Sequence, residues 1–568
     1  MGLDIKRAIA NELSEYVGID SQTLYSLLEV PPDLRLGDFA VPCFVFAKHR
    51  RQNPGKISLE FENKAAQKSG QKKIINRTKA EGPYLNIFLD RKLSTARIIS
   101  YISQTDFRSL RSQGKGRTVV IDFSSPNIAK PFGVGHLRST VIGNSLKKIF
   151  SFLGYKTIGI NHLGDWGTQF GKLITAYKKW GEEEQLAHNP VEYLYRLYVT
   201  YHSRAEDDPR LDHEARGWFS RLEQGDPEAL ELWEKFRELS IQEFKRIYQR
   251  LGVSFEYYTG ESFYGSMLQD TLDQVKETGI TRISEGALIV PLEDLPVAML
   301  AKKDGSTLYL TRDLAAALYR YEKFGFDKCL YVVGDPQSLH FQQLFKVLEK
   351  MGRRWVENCY HVPFGQIRFE DDSMSTRKGN IIFLEEVLDR ASRLAMSIVE
   401  EKNPGLPNKQ EIAEAVGVGS IIFNDLKNYR IKDITFRWDE VLNFNGETGV
   451  YLQYTYARIS SLVKKFTQVH GEVEWKSSPG FGEEGYRIAL HLNDFEDTVL
   501  RAAREFEPSN ISRYLLELAS QFNSFYNTYR VVTEDRRVAV SRVLIVLGVK
   551  KVLRQGLELL GIRPIEEM

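Results

Sequence analysis

The segment with the clearest capacity for chemistry is a glycine-rich turn, residues 122–136, between an apolar run and a helical pattern. Gly133 and Gly135 stand one residue apart, directly before His136. Glycines at the start of a helix let a nucleotide approach the backbone, where free N–H groups and the helix dipole favour phosphate. Lys130 and His136 would add charge or hydrogen bonds. The pattern favours a nucleotide-binding turn, although an ordinary strand–helix turn would also explain the glycines.

The elements that must position this turn form a β–α–β pattern. Residues 118–123 are β-branched or apolar up to the first acid, which is typical of a strand buried on both faces of a parallel sheet. Apolar residues then recur at helical spacing from 136 to 153, and residues 156–164 predict the next strand. Further strand patterns, each flanked by helical patterns, lie at 329–333 and 361–369.

The fold class predicted from these patterns is α/β, with a Rossmann-like, doubly wound parallel sheet in a catalytic domain at residues 116–440. Between about 172 and 255 the strand patterns stop, and charged and aromatic residues at helical spacing predict a helical insertion. Residues 1–113 mix helical periodicity with a β-like stretch at 84–89, so an N-terminal α+β domain is expected. Residues 445–568 are helical in pattern throughout, which predicts an all-α C-terminal domain.

Composition restricts how this chain could bind a polyanion. The 568 residues include 77 Lys and Arg against 75 Asp and Glu, a formal charge of +2, which excludes binding through bulk positive charge. A polyanion would therefore have to bind to local basic patches. One candidate is residues 71–79, and the other is the final segment, whose basic residues are Arg542, Lys550, Lys551, Arg554 and Arg563.

Cysteine usage and hydropathy indicate the compartment. Cys43, Cys329 and Cys359 are far apart in the sequence and form no Cys-x-x-Cys pair, which argues against a disulfide framework or a zinc site and favours a reducing compartment. No run of 18 apolar residues occurs, so we expect no membrane span. We therefore expect a cytoplasmic protein, with the mitochondrial matrix left open.

Several blocks of the chain match one enzyme family. Residues 123–140, FSSPNIAKPFGVGHLRST, resemble the first signature of class I aminoacyl-tRNA synthetases, specifically of arginyl-tRNA synthetases. Four further blocks resemble the same family, at residues 163–170, 308–313, 374–379 and 449–458. Five blocks in order are far more specific than any one of them, and the resemblance covers essentially the whole chain.

Two positions depart from the family pattern. Gly133 stands where the first signature usually has a histidine, so one imidazole donor to phosphate is missing. The second signature, usually Lys-Met-Ser-Lys-Ser, is Ser-Met-Ser-Thr-Arg at residues 373–377. In arginyl enzymes a lysine of the first block is thought to replace the second lysine, and Lys130 matches that position. A surface lysine in a loop is the alternative for Lys130.

The resemblance implies roles in ATP chemistry and in arginine binding. The implied catalytic residues are Lys130, His136, Arg377 and Lys378, and the implied nucleotide-binding residues are Gly133, Gly135, His136, Met374 and Ser375. We expect ATP as a substrate, with Mg²⁺ arriving bound to it and no metal site of the protein's own. A planar guanidinium with five donors calls for carboxylates and an aromatic wall. The implied arginine-binding residues are Asp122, Asn127, Glu261, Tyr309, Asp313 and Gln337.

Simpler explanations exist for two of these acids: Glu261 could be a solvated loop residue, and Asp313 an acid that favours a helix N-terminus. For tRNA, the implied contacts are Asn86 and Phe88 in the N-terminal domain and Tyr451, Tyr454, Arg458 and Met568 in the C-terminal domain. Aromatic side chains can stack on splayed bases, although tyrosines at helical spacing are also common core residues.

The function implied by the resemblance is an arginine–tRNA ligase, which activates arginine with ATP and transfers it to the 3′ end of tRNA(Arg), acting as a monomer. Because Gly133 and the missing lysines weaken the signatures, the alternative is a tRNA-binding protein that has lost the activation chemistry. A third hypothesis is a ligase for another amino acid.

Overall fold

The computed structural model describes residues 5–68, 74–369, 382–443, 446–474, 481–482 and 484–568. Within these ranges, no helix has the length and apolar character needed to cross a membrane. Gln71, Lys72 and Lys73, which belong to one of the two basic segments considered for polyanion binding, lie outside the described residues.

The N-terminal region combines a small sheet with helices, which confirms the α+β prediction. A three-stranded antiparallel sheet has the first and second strands on either side of the third. The strand predicted at 84–89 is this central one. The elements are α1 (Ile5–Val17), α2 (Ser21–Leu27), β1 (Phe39–Pro42), α3 (Phe44–Arg50), α4 (Pro54–Lys68), β2 (Ile75–Glu81), β3 (Tyr84–Leu89) and α5 (Arg91–Gln104).

The middle of the chain begins with a β–α–β unit followed by five helices without a strand, as the sequence predicts. The elements are β4 (Thr118–Asp122), α6 (Leu137–Phe152), β5 (Lys156–Ile160), α7 (Thr168–Trp180), α8 (Glu183–His188), α9 (Pro190–Asp207), α10 (Arg210–Glu223) and α11 (Pro227–Leu251). Helices α7 to α11 form the helical insertion.

The remainder of this middle region completes the sheet. Its elements are α12 (Leu268–Glu277), β6 (Arg282–Ser284), β7 (Ala287–Val290), β8 (Ala298–Ala301), α13 (Tyr309–Phe324), β9 (Lys328–Tyr331), α14 (Ser338–Lys350), β10 (Cys359–His361), β11 (Ile367–Phe369), α15 (Leu384–Lys402), α16 (Lys409–Leu426), β12 (Ile434–Phe436) and α17 (Trp438–Val441).

The central sheet is parallel, with strand order β10-β9-β4-β5. Strand β4 lies inside it, and the side chains of Val119, Val120 and Ile121 are fully buried. This burial confirms the strand inferred from the β-branched run, because a run that is apolar at every position needs cover on both faces. The turn at residues 122–136 therefore leaves the carboxyl end of an inner strand, the usual ligand-binding edge of an open α/β sheet.

Two parts of the sheet region differ from the predicted pattern. The stretch 361–369 contains two short strands in different sheets, since β10 pairs with β9 and β11 pairs with β12. Pro363 interrupts the stretch, and Gly365 lies so close to the backbone of Lys432 that a Cβ would approach it to 2.6 Å. The three-stranded antiparallel sheet of β6, β7 and β8 has no counterpart in the sequence prediction.

The parallel sheet also brings together two cysteines that are distant in the sequence. Cys329 of β9 and Cys359 of β10 are register partners, and both are buried and free. Separation along the chain was therefore a poor guide to their distance in space.

The C-terminal region is helical, as predicted. Its elements are α18 (Gly449–His470), α19 (Tyr486–Asn493), α20 (Phe495–Glu505), α21 (Ser509–Thr528) and α22 (Arg536–Leu559). The apolar face predicted on the last helix is buried, with Val549, Val552, Leu553 and Leu557 all at 0% exposure.

Helix α22 also holds the end of α5. Gly548 of α22 faces Ile99 and Ile102 of α5, where a Cβ would lie at ordinary contact distances of 3.4 and 3.7 Å. The Nζ atom of Lys551 donates to the carbonyl oxygens of Ile102 at 2.8 Å, Ser103 at 3.2 Å and also Thr105. A lysine at a helix C-terminus satisfies carbonyls that the helix itself leaves unpaired.

We expect Lys551→Met to lower the melting temperature of the full chain, because three carbonyls at the end of α5 lose their donor, at a cost of about 1–3 kcal/mol. The neighbouring Lys550 provides the control: it forms an ion pair with Glu566, and pairs of this kind contribute about 0–1 kcal/mol. Equal melting temperatures for Lys551→Met and Lys550→Met would contradict the capping role.

Candidate active site

The turn after β4 is strained and is held by buried hydroxyl groups. Ser124, Ser125 and Ala129 have positive φ values of 73°, 48° and 57°. Such conformations cost on the order of 1–3 kcal/mol each outside glycine and persist where the surroundings impose them. The hydroxyl of Ser139 accepts the amide N–H of Ser124 at 2.8 Å, and the hydroxyl of Ser240 accepts that of Ala129 at 2.9 Å.

The helical insertion contributes to this turn. Ser240 and Tyr248 both belong to α11, and the Tyr248 hydroxyl is 2.7 Å from the hydroxyl of Ser124. Tyr248 is buried, and desolvation raises the pKa of its phenol well above the ordinary value, so it remains a neutral hydrogen-bonding group. Side chains of α6 and of α11 in the helical insertion therefore hydrogen-bond to the turn and hold its conformation.

A cavity of about 450 Å³ opens beside the start of α6. Gly135 is exposed, and a Cβ there would find nothing within 4 Å. The cavity is lined by Gly135, Arg138, Gly334, Pro336, Gln337, Phe364, Gly365, Gln366 and Ile367. Gln337, predicted to bind arginine, thus lies on the same wall as the glycine predicted to admit a nucleotide. Gly133 is buried and bridges to Phe383 through its backbone.

His136 stands directly before α6, where burial of its imidazole favours the neutral form. Burial lowers the pKa of its imidazole to about 4, and nearby Lys130 lowers it further. Its Nδ1 atom is buried and has no hydrogen-bond partner among the described residues. The ring packs beside Phe132 at 5.2 Å. His136 is therefore available as a neutral hydrogen-bonding group.

Lys130 lies at the opposite side of the turn, half-buried, with its Nζ atom 5.6 Å from the ring centre of Tyr198. Asn127 is exposed on the same turn, and its backbone bridges to Gly164. The Asn127 side chain lies directly over Gly164, where a Cβ would come within 1.9 Å of it and would force the side chain to move. The Asn127 side chain is thus kept in place by close contact with the next block of the sequence.

Asp313 lies between two imidazoles. Its Oδ2 atom is 2.6 Å from Nε2 of His340, and its Oδ1 atom is 3.9 Å from Nε2 of His162. Neither histidine was singled out from the sequence. His162 lies within the strand pattern predicted at 156–164, two residues after the observed end of β5, whereas His340 follows Gln337 by one helical turn.

Glu261 is the second carboxyl group of this region. Burial raises its pKa to about 7, and the acids Asp313 and Asp165 raise it while Arg312 opposes the shift. The side chain is therefore no solvated loop acid. Strongly shifted carboxyls in a cleft are typical of functional sites.

Asp165 fixes the backbone that carries Glu261. Its carboxylate is fully buried and accepts the amide and hydroxyl of Ser262, both at 2.8 Å, and the guanidinium of Arg237 at 3.0 Å. Gly260 passes directly over this carboxylate, and a Cβ would lie 2.4 Å from it. The block at 163–170 thus positions the loop at 259–262, although Asp165 and Ser262 are 97 positions apart in sequence.

Asp122 forms a buried ion pair. Its Oδ2 atom is 2.8 Å from the guanidinium of Arg320, and its Oδ1 atom accepts the hydroxyl of Ser125 at 3.0 Å. Both side chains are nearly inaccessible, at 7% and 1% exposure. Arg320, on α13, was missed by the sequence analysis. Because both oxygens of Asp122 already have partners, the predicted contact with a substrate stays a prediction.

The remaining predicted site residues are either exposed or lie outside the described residues. Tyr309 begins α13 and is 66% exposed, so it is not part of the packed wall here. Met374, Ser375, Arg377 and Lys378 lie outside the described residues.

The residues predicted to bind tRNA divide into surface and buried groups. Arg458 lies over the rings of Tyr454 and Tyr526, at 4.8 and 5.6 Å, and donates to Asn523 at 2.9 Å. The hydroxyl of Tyr451 accepts from Asn523 at 2.9 Å. These half-buried groups form one polar aromatic face of α18 and α21, which we name the Tyr–Arg face. Met568 instead packs against an apolar cluster that includes Ala395, Ala413, Val416, Val450 and Ile565.

Asn86 does not lie on the surface, which corrects its expected place. It is 4% exposed because β3 is the central strand, and it donates to Glu81 at 3.2 Å. Phe88 is half-buried, with the guanidinium of Arg77 4.1 Å from its ring centre.

The basic segment at the C-terminus does not form a free cationic patch. Arg542, Lys550, Arg554 and Arg563 each form an ion pair with a glutamate, and Lys551 caps α5. The excess of basic residues counted in the sequence is therefore compensated by glutamates, one within the same helix and the others from elsewhere in the chain.

Family comparisons cover nearly the whole chain. Residues 99–438 match the family described as tRNA synthetases class I (R), catalytic domain. Residues 452–568 match the DALR anticodon binding domain, and residues 3–89 match the arginyl tRNA synthetase N terminal domain.

Individual relatives agree along their full length. A Halothermothrix orenii protein named arginine–tRNA ligase is 44% identical over 570 residues, and one of that name from Clostridium acetobutylicum is 45% identical; each match covers 100% of both chains. The fold is similar to that of the Thermus thermophilus arginyl-tRNA synthetase, with a TM-score of 0.81, 24% identity and 99% coverage of both chains. The Plasmodium falciparum arginyl-tRNA synthetase is also similar, with a TM-score of 0.78, 25% identity and 100% coverage of both chains.

We expect Asp122→Ala to destabilise the chain by about 3–5 kcal/mol, because the buried guanidinium of Arg320 loses its counterion. The control is Asp327→Ala near the opposite end of β4, where an exposed carboxylate accepts only the amide of Thr118 at 2.7 Å. Removing it should cost about 1 kcal/mol. Thermal unfolding of the two variants compares these losses, and equal shifts in melting temperature would refute the role of the buried pair.

Proposed function

The chain belongs to the arginyl-tRNA synthetase family, and we propose that it is an arginine–tRNA ligase in which the strained turn after β4 binds ATP and the Glu261–Asp313 region binds arginine. The observation that carries the activity is the agreement of the full chain with relatives named arginine–tRNA ligase, at 44 and 45% identity. A tRNA-binding protein without activation chemistry is not favoured, because the relatives that match the chain over its full length are named as ligases.

In the first step the carboxylate oxygen of arginine attacks the α-phosphorus of ATP. A new P–O bond forms, the bond to the β-phosphate bridge breaks, and pyrophosphate leaves. In the second step a hydroxyl of the terminal tRNA ribose attacks the carbonyl carbon, and AMP leaves. Such chemistry needs positioning and compensation of negative charge rather than a protein nucleophile.

The turn supplies groups suited to the first step. The ammonium group of Lys130 attracts the phosphates, and neutral His136 offers a hydrogen bond from its side chain. Gly135 and the adjacent cavity of about 450 Å³ admit the adenosine. We assign Arg377, Lys378, Met374 and Ser375 to the same phosphate region on the family resemblance alone. Mg²⁺ arrives with ATP, since this cation usually keeps phosphate and water ligands.

Recognition of arginine rests on two carboxyl groups of different character. Asp313 is oriented by His340 and faces His162, and the raised pKa of Glu261 makes its charge sensitive to a bound cation. A guanidinium that displaces solvent between them gains charge-assisted hydrogen bonds. Gln337 completes the pocket, Asn127 and Asp122 orient the α-amino and carboxylate end, the latter through Ser125, and Tyr309 closes the pocket from the exposed side.

For tRNA, we propose that the Tyr–Arg face of α18 and α21 reads the anticodon loop, since its aromatic rings and guanidinium suit base stacking. Met568 supports this region from the apolar side, and Phe88 with Arg77 offers a second contact in the N-terminal region. The monomeric state, the cytoplasmic location and the domain limits 1–113, 116–440 and 445–568 remain proposals.

The activity is tested by ATP–pyrophosphate exchange with arginine, run with and without tRNA(Arg). We expect exchange that depends on arginine, with lysine and glutamine inactive, because a site built for a guanidinium leaves buried carboxyls unpaired with other side chains. No exchange even with tRNA would favour the tRNA-binding alternative. Exchange driven by lysine or glutamine in place of arginine would assign the chain to another amino acid.

The pH dependence of arginine binding tests the role of Glu261. A carboxyl with a pKa of about 7 must ionise to pair with a guanidinium. The KM for arginine should therefore fall about five- to tenfold between pH 6 and pH 8, as the ionised fraction rises. In Glu261→Gln the KM should be higher and nearly independent of pH over this range. An unchanged pH profile in this variant would remove Glu261 from the pocket.

A further inference from the structure

We propose that Tyr198 of the helical insertion is a positioning residue for Lys130, holding its ammonium group at the turn without compensating its charge. The proposal rests on the phosphate role given to Lys130 above. The Nζ atom lies 5.6 Å from the ring centre of Tyr198, within the range of cation–π attraction. Tyr198 belongs to α9, whereas Lys130 belongs to the turn after β4, so the contact joins the insertion to the sheet.

The absence of a carboxylate partner distinguishes Lys130 from many basic residues of this protein. In the part of the chain that the structure describes, Lys130 forms no ion pair and no hydrogen bond, while Arg542, Lys550, Arg554 and Arg563 are each paired with an acid. A carboxylate would hold the ammonium but reduce its attraction for phosphate. The quadrupole of a ring attracts the cation and leaves its full charge.

Helix α9 provides a rigid support for the ring. Leu194 and Leu197 are buried in the core of the insertion, at 0 and 5% exposure, on the helical turn before Tyr198. One turn later Tyr201 receives the ammonium of Lys172 at 5.8 Å. The ring of His202 contacts that of Tyr198 at 4.6 Å, and burial together with Lys172 lowers the pKa of its imidazole.

These contacts define an aromatic cluster on α9, formed by half-buried Tyr198, fully buried Tyr201 and exposed His202, that faces two lysines. Two acids lie near this cluster, and neither pairs with Lys130. Asp212 accepts the hydroxyl of Tyr201 at 2.9 Å, and Glu206 acts on His202 only through its charge. The ammonium of Lys130 is thus restricted by a fixed ring and remains free to meet an incoming triphosphate. Displacement of α9 would move the phosphate-binding charge.

The experiment compares three variants in ATP–pyrophosphate exchange with tRNA present: Tyr198→Leu, Tyr198→Phe and Tyr195→Leu. Tyr195 lies on the same helix, is half-buried and makes no ring or cation contact in the described chain, so it provides a matched control. We expect Tyr198→Leu to lower kcat/KM for ATP about three- to tenfold. The KM for arginine should not change, and Tyr198→Phe and Tyr195→Leu should keep the parent rate.

A double-mutant cycle with Lys130→Ala separates the two proposals. If Tyr198 acts through Lys130, Tyr198→Leu should cause no further loss in the Lys130→Ala background. Additive losses, or equal losses for Tyr198→Leu and Tyr198→Phe, would overturn the positioning role. A loss in Lys130→Ala with a parent rate in Tyr198→Leu refutes only the inference, whereas a parent rate in Lys130→Ala refutes the phosphate role itself.

Discussion

The buried hydroxyl network around Ser124 is the interaction on which the active site depends. Three residues of the turn adopt left-handed backbone conformations that no glycine relieves, and Ser139, Ser240 and Tyr248 bind the amides and hydroxyl that these conformations expose. Because α6 and α11 both contribute, the turn has its shape only when the sheet and the insertion have come together. The positions of Lys130 and His136, on which the phosphate chemistry depends, follow from that shape.

The sequence predicted the elements better than the contacts between them. The run at 118–121 was predicted to be an inner strand because every residue in it is β-branched, and the family resemblance pointed to Glu261 and Asp313. Arg320, His162 and His340 were missed, since their roles arise from strand ends and helices that meet only in three dimensions. The periodicity of a short segment does not indicate which distant segments it will contact in the folded chain. The split at Pro363 and Gly365 could have been anticipated, because both residues oppose a continuous strand.

Counting basic and acidic residues in the sequence was a poor guide to where the folded protein carries uncompensated charge. The basic segment at the C-terminus is compensated by glutamates from α16, from the last residues of the chain and from within α22 itself. Burial also cancels the charge expected on His136 and makes that on Glu261 conditional. Formal charge therefore says little here about where a polyanion binds. The cations best suited to bind a polyanion are those, such as Lys130, that have no acidic partner in the described part of the chain to compensate their charge.

The cap that Lys551 places on α5 has a consequence for the order in which the chain can be completed. The lysine and the carbonyl of Thr105 are separated by 446 residues. At roughly 5–20 residues per second, a ribosome needs on the order of 20–90 s to synthesise that interval. During this time the end of α5 lacks its donor, and Ile99 and Ile102 lack their packing against Gly548 of α22. The N-terminal region thus waits in an incomplete state for the last helix to emerge.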